Sequence, residues 1–270
     1  MFQFLERSPP DLRDTVRCVW LLRADGGAGG IMPIVPDGSV EIVLNLGDVI
    51  HQLSPAHPAQ AQPRAMLVGQ PTGPVVIRPS GDLHLVGIRL QPWASRAFVR
   101  APAAALRNQS IDIAAPEYGG FASLAEHLLA AADDQTRLDV TTAWLRARRS
   151  NWTGRVTAAA VRIIRDRREL PSMRALAGEL GVTTRTMQRA FAHDVGLGPK
   201  TLVRITRLQR AIGLARTHDA LPWAAIAARC GYYDESHLNL DFQALAGCAP
   251  SQFTPRAESL TELMLESRGR

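Results

Sequence analysis

Residues 183–191 read TTRTMQRAF, and their spacing sets three side chains to one task. Arg185, Gln188 and Arg189 stand three and four apart, so a helix projects them from one face and leaves Met187 and Phe191 on the apolar face opposite. A guanidinium matches the O6/N7 edge of guanine, a carboxamide matches the N6/N7 edge of adenine, and both bind phosphate oxygens. The plainer reading of such a face is solvated surface. The residues just before it favour the first reading. Leu176, Ala177 and Leu180 make an apolar stripe, Gly181 allows a tight turn, and Thr183 or Thr184 can cap the helix that follows.

Other chemistries find less support. The first half offers His51, His57, His84 and His127 with no HxH pair, and His51 and His57 fall in HQLSPAHPAQAQP, which reads as a surface loop. No Gly-rich phosphate loop, GxSxG elbow or HExxH helix is present in the sequence. Cys18, Cys230 and Cys248 are far apart and odd in number, which suits buried reduced thiols better than a disulfide framework or a metal site. Trp20, Trp93 and Trp144 are candidates for a ligand pocket or, more simply, for core packing. The expectation is therefore a protein with no catalytic residues, no metal and no cofactor.

Charge is divided unevenly along the chain. Of 270 residues with a net charge of +6, residues 1–150 carry 14 Arg against 14 Asp and Glu, so the excess lies entirely in 151–270. Within that half, residues 155–216 sum to +9 and residues 217–270 to −3. A concentrated basic segment is the footprint of a polyanion partner. No apolar run approaches a membrane span, and MFQFLERSPP lacks the pattern of a signal peptide, so a cytoplasmic location and no membrane partner are expected.

These residues need elements to hold them. TVRCVWLL, VEIVLNL, AMLVG, VVIR and LHLVGIRL are short β-branched or Leu-rich runs between turns such as PDGS and PSGD, which predicts strands in a sandwich or small barrel. Helical spacing begins near Ala94 with WASRAFV and continues through FASLAEHLLAA and TRLDVTTAWLRARR, with a loop at 107–120 between them. The stripe Leu124, Leu128, Thr142 and Leu145 either packs internally or serves a second copy of the chain. A boundary near Ser150–Gly154 separates residues 1–150 from an all-helical 151–270. There, Pro199 opens a long helix predicted to bury Leu202, Ile205, Leu208 and Ile212 and to expose Arg204, Arg207 and Arg210. Beyond it LPWAAIAARCG–YYD–ESHLNLDFQALAG repeats the helix–turn–helix pattern, with Gly231 at the turn and Leu238, Phe242 and Leu245 facing inward.

With both units in view, the stretches LAGELGVTTRTMQRAFAHDVGLGPKTLVRITRLQRA and AARCGYYDESHLNLDFQALAGCAPSQF resemble the DNA-binding domain of AraC/XylS-type transcription regulators. The likeness covers residues 160–255 and includes Gly247, Pro250 and Phe253 of that family's closing signature. CVWLLR, PDGSVEIVLNLGD and LVGIRLQP resemble the regulatory domain of one branch of the same family. The resemblance implies base contacts from Arg185 and Gln188, a base or phosphate contact from Arg189, and Thr184 beside them. Arg204 and Arg207, on the exposed side of the long helix, are further candidates, for phosphate contact. In the second unit the resemblance makes Glu235, Ser236, His237, Asn239 and Leu240 groove-facing. Leu240 departs from the family, which usually has Arg there, and Glu235 and Asp241 are expected to repel phosphate.

The expected fold is an α+β N-terminal domain, a strand-rich sandwich or cupin-like barrel plus helices, followed by an all-α domain with two helix-turn-helix units. The expected function is sequence-specific DNA-binding transcription regulation, as activator or repressor, controlled by residues 1–150 through ligand sensing or self-association. Double-stranded DNA is the main expected partner, with a small-molecule effector, a homodimer partner and RNA polymerase as further ones. An interaction module with weak non-specific DNA binding is the first alternative. A cupin-like enzyme fused to a DNA-binding domain is the second.

Overall fold

The computed structural model describes residues 2–25, 30–54, 57–99, 103–148, 154–167, 169, 171–218 and 221–253. The strands among them are β1 (Phe2–Arg7), β2 (Val16–Ala24), β3 (Met32–Ile34), β4 (Val40–Asn45), β5 (Ile50–Ser54), β6 (His57–Ala61), β7 (Ala65–Val68), β8 (Val75–Pro79), β9 (Leu83–Leu90) and β10 (Ser110–Asp112). They form two antiparallel sheets, in the orders β1-β2-β9-β4-β7-β10 and β3-β8-β5-β6.

The four inner strands of the larger sheet, β2, β9, β4 and β7, are buried on both faces and are largely apolar for that reason. Side chains alternate across a strand, so parity sorts them. Cys18, Trp20 and Leu22 of β2, Val43 of β4, Met66 of β7 and Leu85 of β9 join Met32, Ile50 and Ile77 in a core between the two sheets. Val19, Leu21, Ile42, Leu44, Leu67, Val86 and Ile88 point the other way, into a second core shared with the helices. Trp20 fits only because Gly87 lies opposite it, since a Cβ at Gly87 would sit 1.9 Å from the indole Cε2.

The helices are α1 (Phe121–Ala130), α2 (Asp134–Arg148), α3 (Arg155–Asp166), α4 (Met173–Glu179), α5 (Thr184–Asp194), α6 (Pro199–Thr217), α7 (Trp223–Arg229) and α8 (Glu235–Ala246). Leu124, Leu128, Thr142 and Leu145 are all buried, so their stripe packs inside the protein and offers no surface to a second copy. Trp20, Trp93 and Trp144 are core residues as well.

Three local expectations are corrected. HQLSPAHPAQAQP is not a loop; β5 and β6 pair within it, and Arg78 and Pro79 of β8 back β5. The segment WASRAFV forms only a 3-10 turn at Ser95–Ala97, whose flanking residues Ala94 and Phe98 leave helical dihedrals. The 107–120 stretch contains β10, paired to β7.

Residues 150–153 of the expected boundary lie outside the described residues. On either side of them the core is continuous, running from Leu21 and Ile42 through Leu145 to Leu202, Leu208 and Phe242. Contacts between the halves are close. Gln209 Nε2 donates to the Pro36 carbonyl at 2.7 Å, and a Cβ added at Gly38 would come within 2.7 Å of Leu202 Cδ1. A Cβ at Gly196 would meet the Ala103 carbonyl at 2.2 Å.

Candidate nucleic-acid interface

The first unit is built as its residue types dictate. Ser172 caps α4, its hydroxyl accepting from the Ala175 amide at 3.2 Å. Gly181 turns the chain with φ +65°, a value that an L side chain adopts only with strain. Thr183 then caps α5 by accepting from the Thr186 amide at 3.1 Å. Met187 and Phe191 are fully buried and fix the rotation of α5, which leaves Arg185, Gln188 and Arg189 exposed and Thr184 half-buried at the start. None of the three exposed side chains has a hydrogen bond or ion pair among the described residues.

The second unit repeats this geometry. Asp234 caps α8, accepting from the His237 amide at 2.7 Å, and Leu238 and Phe242 are buried where Met187 and Phe191 stand in α5. Both helices end on a glycine with positive φ, Gly196 at +78° and Gly247 at +77°. Counted from the caps, Ser236 takes the place of Arg185, Asn239 that of Gln188, and Leu240 that of Arg189. Glu235, Ser236, Asn239 and Leu240 are exposed, and His237 is half-buried with its ring edge-on to Tyr232 at 5.2 Å. Tyr233, 93% exposed just before the cap, is missing from the sequence candidates. Its only signal there is an aromatic residue in a turn.

α6 joins the two units and buries Leu202, Ile205, Leu208 and Ile212 as expected, but its arginines are not the free row that its spacing suggests. Arg204 binds Asp241 through Nε and Nη2, both at 2.8 Å. Asp241 is only 2% exposed, so it holds α8 to α6 and does not face solvent or phosphate. Arg207 is half-buried over the Tyr232 ring at 5.9 Å. Burial, and next the Asp241 carboxylate, push the Tyr232 phenol above its ordinary range. Arg210 is half-buried too and donates to the Ile164, Arg165 and Arg167 carbonyls at 3.0, 3.0 and 2.7 Å, which satisfies the end of α3.

More of the basic segment is used within the protein. Arg162 pairs with Asp14, Arg165 donates to the Gly38 carbonyl, and Arg167 pairs with Glu179. The +9 of residues 155–216 therefore overstates what is offered to a polyanion. Exposed cations without such ties among the described residues include Arg174, Arg185, Arg189 and Lys200.

The far end of α5 rests on the first half of the chain. Arg96 reaches His193 Nε2 at 2.5 Å, His193 Nδ1 lies 2.6 Å from Asp194, and Thr157 donates to Asp194 at 2.6 Å. An accepting Nε2 places the ring proton on Nδ1, facing the carboxylate. Beside this chain of bonds is a cavity of about 720 Å³ lined by Ala103, Ala104, Thr186, Arg189 and Ala190. A side chain of the exposed α5 face, Arg189, thus borders the first half of the chain.

Among the described residues no cluster of three or more His, Cys, Asp or Glu is placed to hold a metal ion, and no helix is long and apolar enough to cross a membrane. Burial pushes the Cys18 thiol up to about 12 and the Cys230 thiol up to about 11.

Comparison with known proteins matches residues 7–112 to a domain of unknown function (DUF6597) and residues 176–256 to a helix-turn-helix domain. No curated protein matches the chain. Among solved structures it aligns with ToxT from Vibrio cholerae at 9% identity and a TM-score of 0.48, over 93% of this chain and 97% of that one. It aligns with ToxT from strain SCE256, bound to an unsaturated fatty acid, at 10% identity and a TM-score of 0.47, over 87% and 94%. The transcriptional regulator CdpR from Pseudomonas aeruginosa aligns at 19% identity and a TM-score of 0.28, over 63% of this chain and 44% of that one. With its caps, turn glycines and closing Gly247–Phe253 segment all in place, the stretch of residues 176–256 is a helix-turn-helix domain of the AraC type.

Proposed function

We propose that the chain is a sequence-specific transcription regulator, not an enzyme, in which the second half reads DNA and residues 1–150 control that reading. One observation carries the proposal: α5 presents Arg185, Gln188 and Arg189 to solvent with no partner among the described residues, on a helix whose rotation is locked by buried Met187 and Phe191. Cations and a carboxamide held ready in this way suit major-groove edges, with phosphate contacts supplying affinity and base contacts supplying specificity. Control by the first half has a physical route, since α5 touches Arg96 and borders the cavity at Ala103 and Ala104. A small-molecule effector, RNA polymerase and a second copy of the chain complete the proposed partners. Self-association does not use the buried 124–145 stripe.

The test is selection of DNA by the full chain from a random pool, followed by binding of the selected site. Arg185→Ala or Gln188→Ala is expected to cost about 1–3 kcal/mol on that site and to relax preference at one position. Enrichment of no motif, with only weak salt-sensitive binding, would favour the interaction-module reading instead.

A further inference from the structure

Six large apolar side chains are exposed among the described residues, and two of them, Tyr233 and Leu240, sit at the second helix-turn-helix unit. Leu240 is 70% exposed. It is not a stray surface leucine, because its place in α8 is the place Arg189 holds in α5. The correspondence rests on Asp234 and Thr183 as caps, on the buried pairs Leu238/Met187 and Phe242/Phe191, and on the closing glycines.

The exposed face of α8 around it carries no Arg or Lys. Ser236, Asn239, Gln243 and Ala244 share the exposed side of α8 with Leu240, and Glu235 begins the helix. Asp241 is turned inward to Arg204, so it does not lie between Leu240 and a docked partner. A surface that is neutral, apolar at its centre and polar at its edges is poorly suited to phosphate. It does suit the one apolar group in the major groove, the C5 methyl of thymine.

Resting on the DNA-binding reading above, we propose that Leu240 is a specificity residue that recognises thymine methyl groups, so that the two units read DNA by different chemistry. α5 uses charge-assisted hydrogen bonds from Arg185 and Arg189. α8 uses methyl contact through Leu240, with Ser236 and Asn239 available for neutral hydrogen bonds to neighbouring base edges. The second half-site is then rich in A·T pairs, and its affinity depends little on salt.

The experiment replaces thymine by deoxyuracil, one position at a time, in the site that the full chain selects. This removes a methyl group and keeps every hydrogen-bonding edge. Burying one methyl contributes enough to change affinity about fourfold. Wild-type protein is expected to lose about that factor at one or two thymines, all within one half-site. Leu240→Ala, a substitution on an exposed position that leaves the core intact, is expected to bind the thymine and uracil sites equally. Indifference of the wild type to uracil, or an equal loss in Leu240→Ala, overturns the proposal and leaves the DNA reading standing. A chain that selects no site overturns both.

Discussion

Arg204 is where a surface reading and a structural reading make opposite predictions. By its spacing it belongs to a row of phosphate-binding arginines. In the structure its Nε and Nη2 both lie 2.8 Å from Oδ1 of Asp241, which is 2% exposed. Arg204→Ala strands that carboxylate between α6 and α8. Breaking a buried pair by removing one partner costs about 3–5 kcal/mol. The Arg204 side chain is 44% exposed, so water reaches the vacated space and screens the charge, which lowers the cost to roughly 2–3 kcal/mol. In a chain of this size that moves the melting temperature by roughly 5–10 °C. The assay is thermal unfolding of Arg204→Ala, Asp241→Asn and the double variant, all in the full chain. The double variant is expected to recover most of the loss, because no charge is left buried, and the cycle should return a coupling of about 2–3 kcal/mol. If Arg204→Ala melts with the wild type while binding to every DNA sequence weakens equally, the ion pair is idle and Arg204 is a phosphate ligand after all.

Further outcomes follow from the packing. Gly87→Ala drives a Cβ into the Trp20 ring and is expected to cost about 1–3 kcal/mol or more, seen as a lower melting temperature with altered near-UV dichroism; an unchanged melt would mean the ring is free to move. Gly196→Ala combines a left-handed backbone with a clash on the Ala103 carbonyl, and should destabilise by roughly 2–4 kcal/mol while loosening α5 from the first half, measured as faster amide exchange at 103–106. With thiols pushed up to about 12 and about 11 by burial, Cys18 and Cys230 should stay unmodified by iodoacetamide at pH 8 in the native protein, and half-buried Cys248 should react first. Rapid native labelling of Cys18, read by mass spectrometry, would contradict its burial.

How much of this was legible depended on how local the determining contacts are. The strands β2, β4, β7, β8 and β9 announced themselves through branched and Leu-rich runs between turns, and both helix-turn-helix units through Gly181, Gly231 and apolar spacing. β6 was hidden because Pro, Ala and Gln carry no strand signal of their own, and every one of its residues is exposed; β5, IHQLS, is too short and polar to stand out, and it is set by its pairing with β8. The roles of Arg185, Gln188 and Arg189 as an exposed face could be read from neighbours one turn away. Those of Arg162, Arg165 and Arg204 could not, since Asp14, Gly38 and Asp241 lie 148, 127 and 37 residues from them. A run of arginines looks the same in sequence whether it meets phosphate or its own fold.

If the chain reads DNA as proposed, α6 constrains how its binding sites can diverge. Its 19 residues span about 28 Å as one helix, and its buried side is fitted to the first half through Leu202 and Gln209. No flexible joint is left in it to adjust the distance or phase of α5 and α8. Inserting a single residue would turn everything beyond it by about 100°, the phase of roughly three base pairs of DNA. Under the proposed function, substitutions on α5 and α8 change which bases are preferred one at a time, while the interval between the two half-sites is inherited with α6 and changes only if the whole bed beneath that helix is rebuilt.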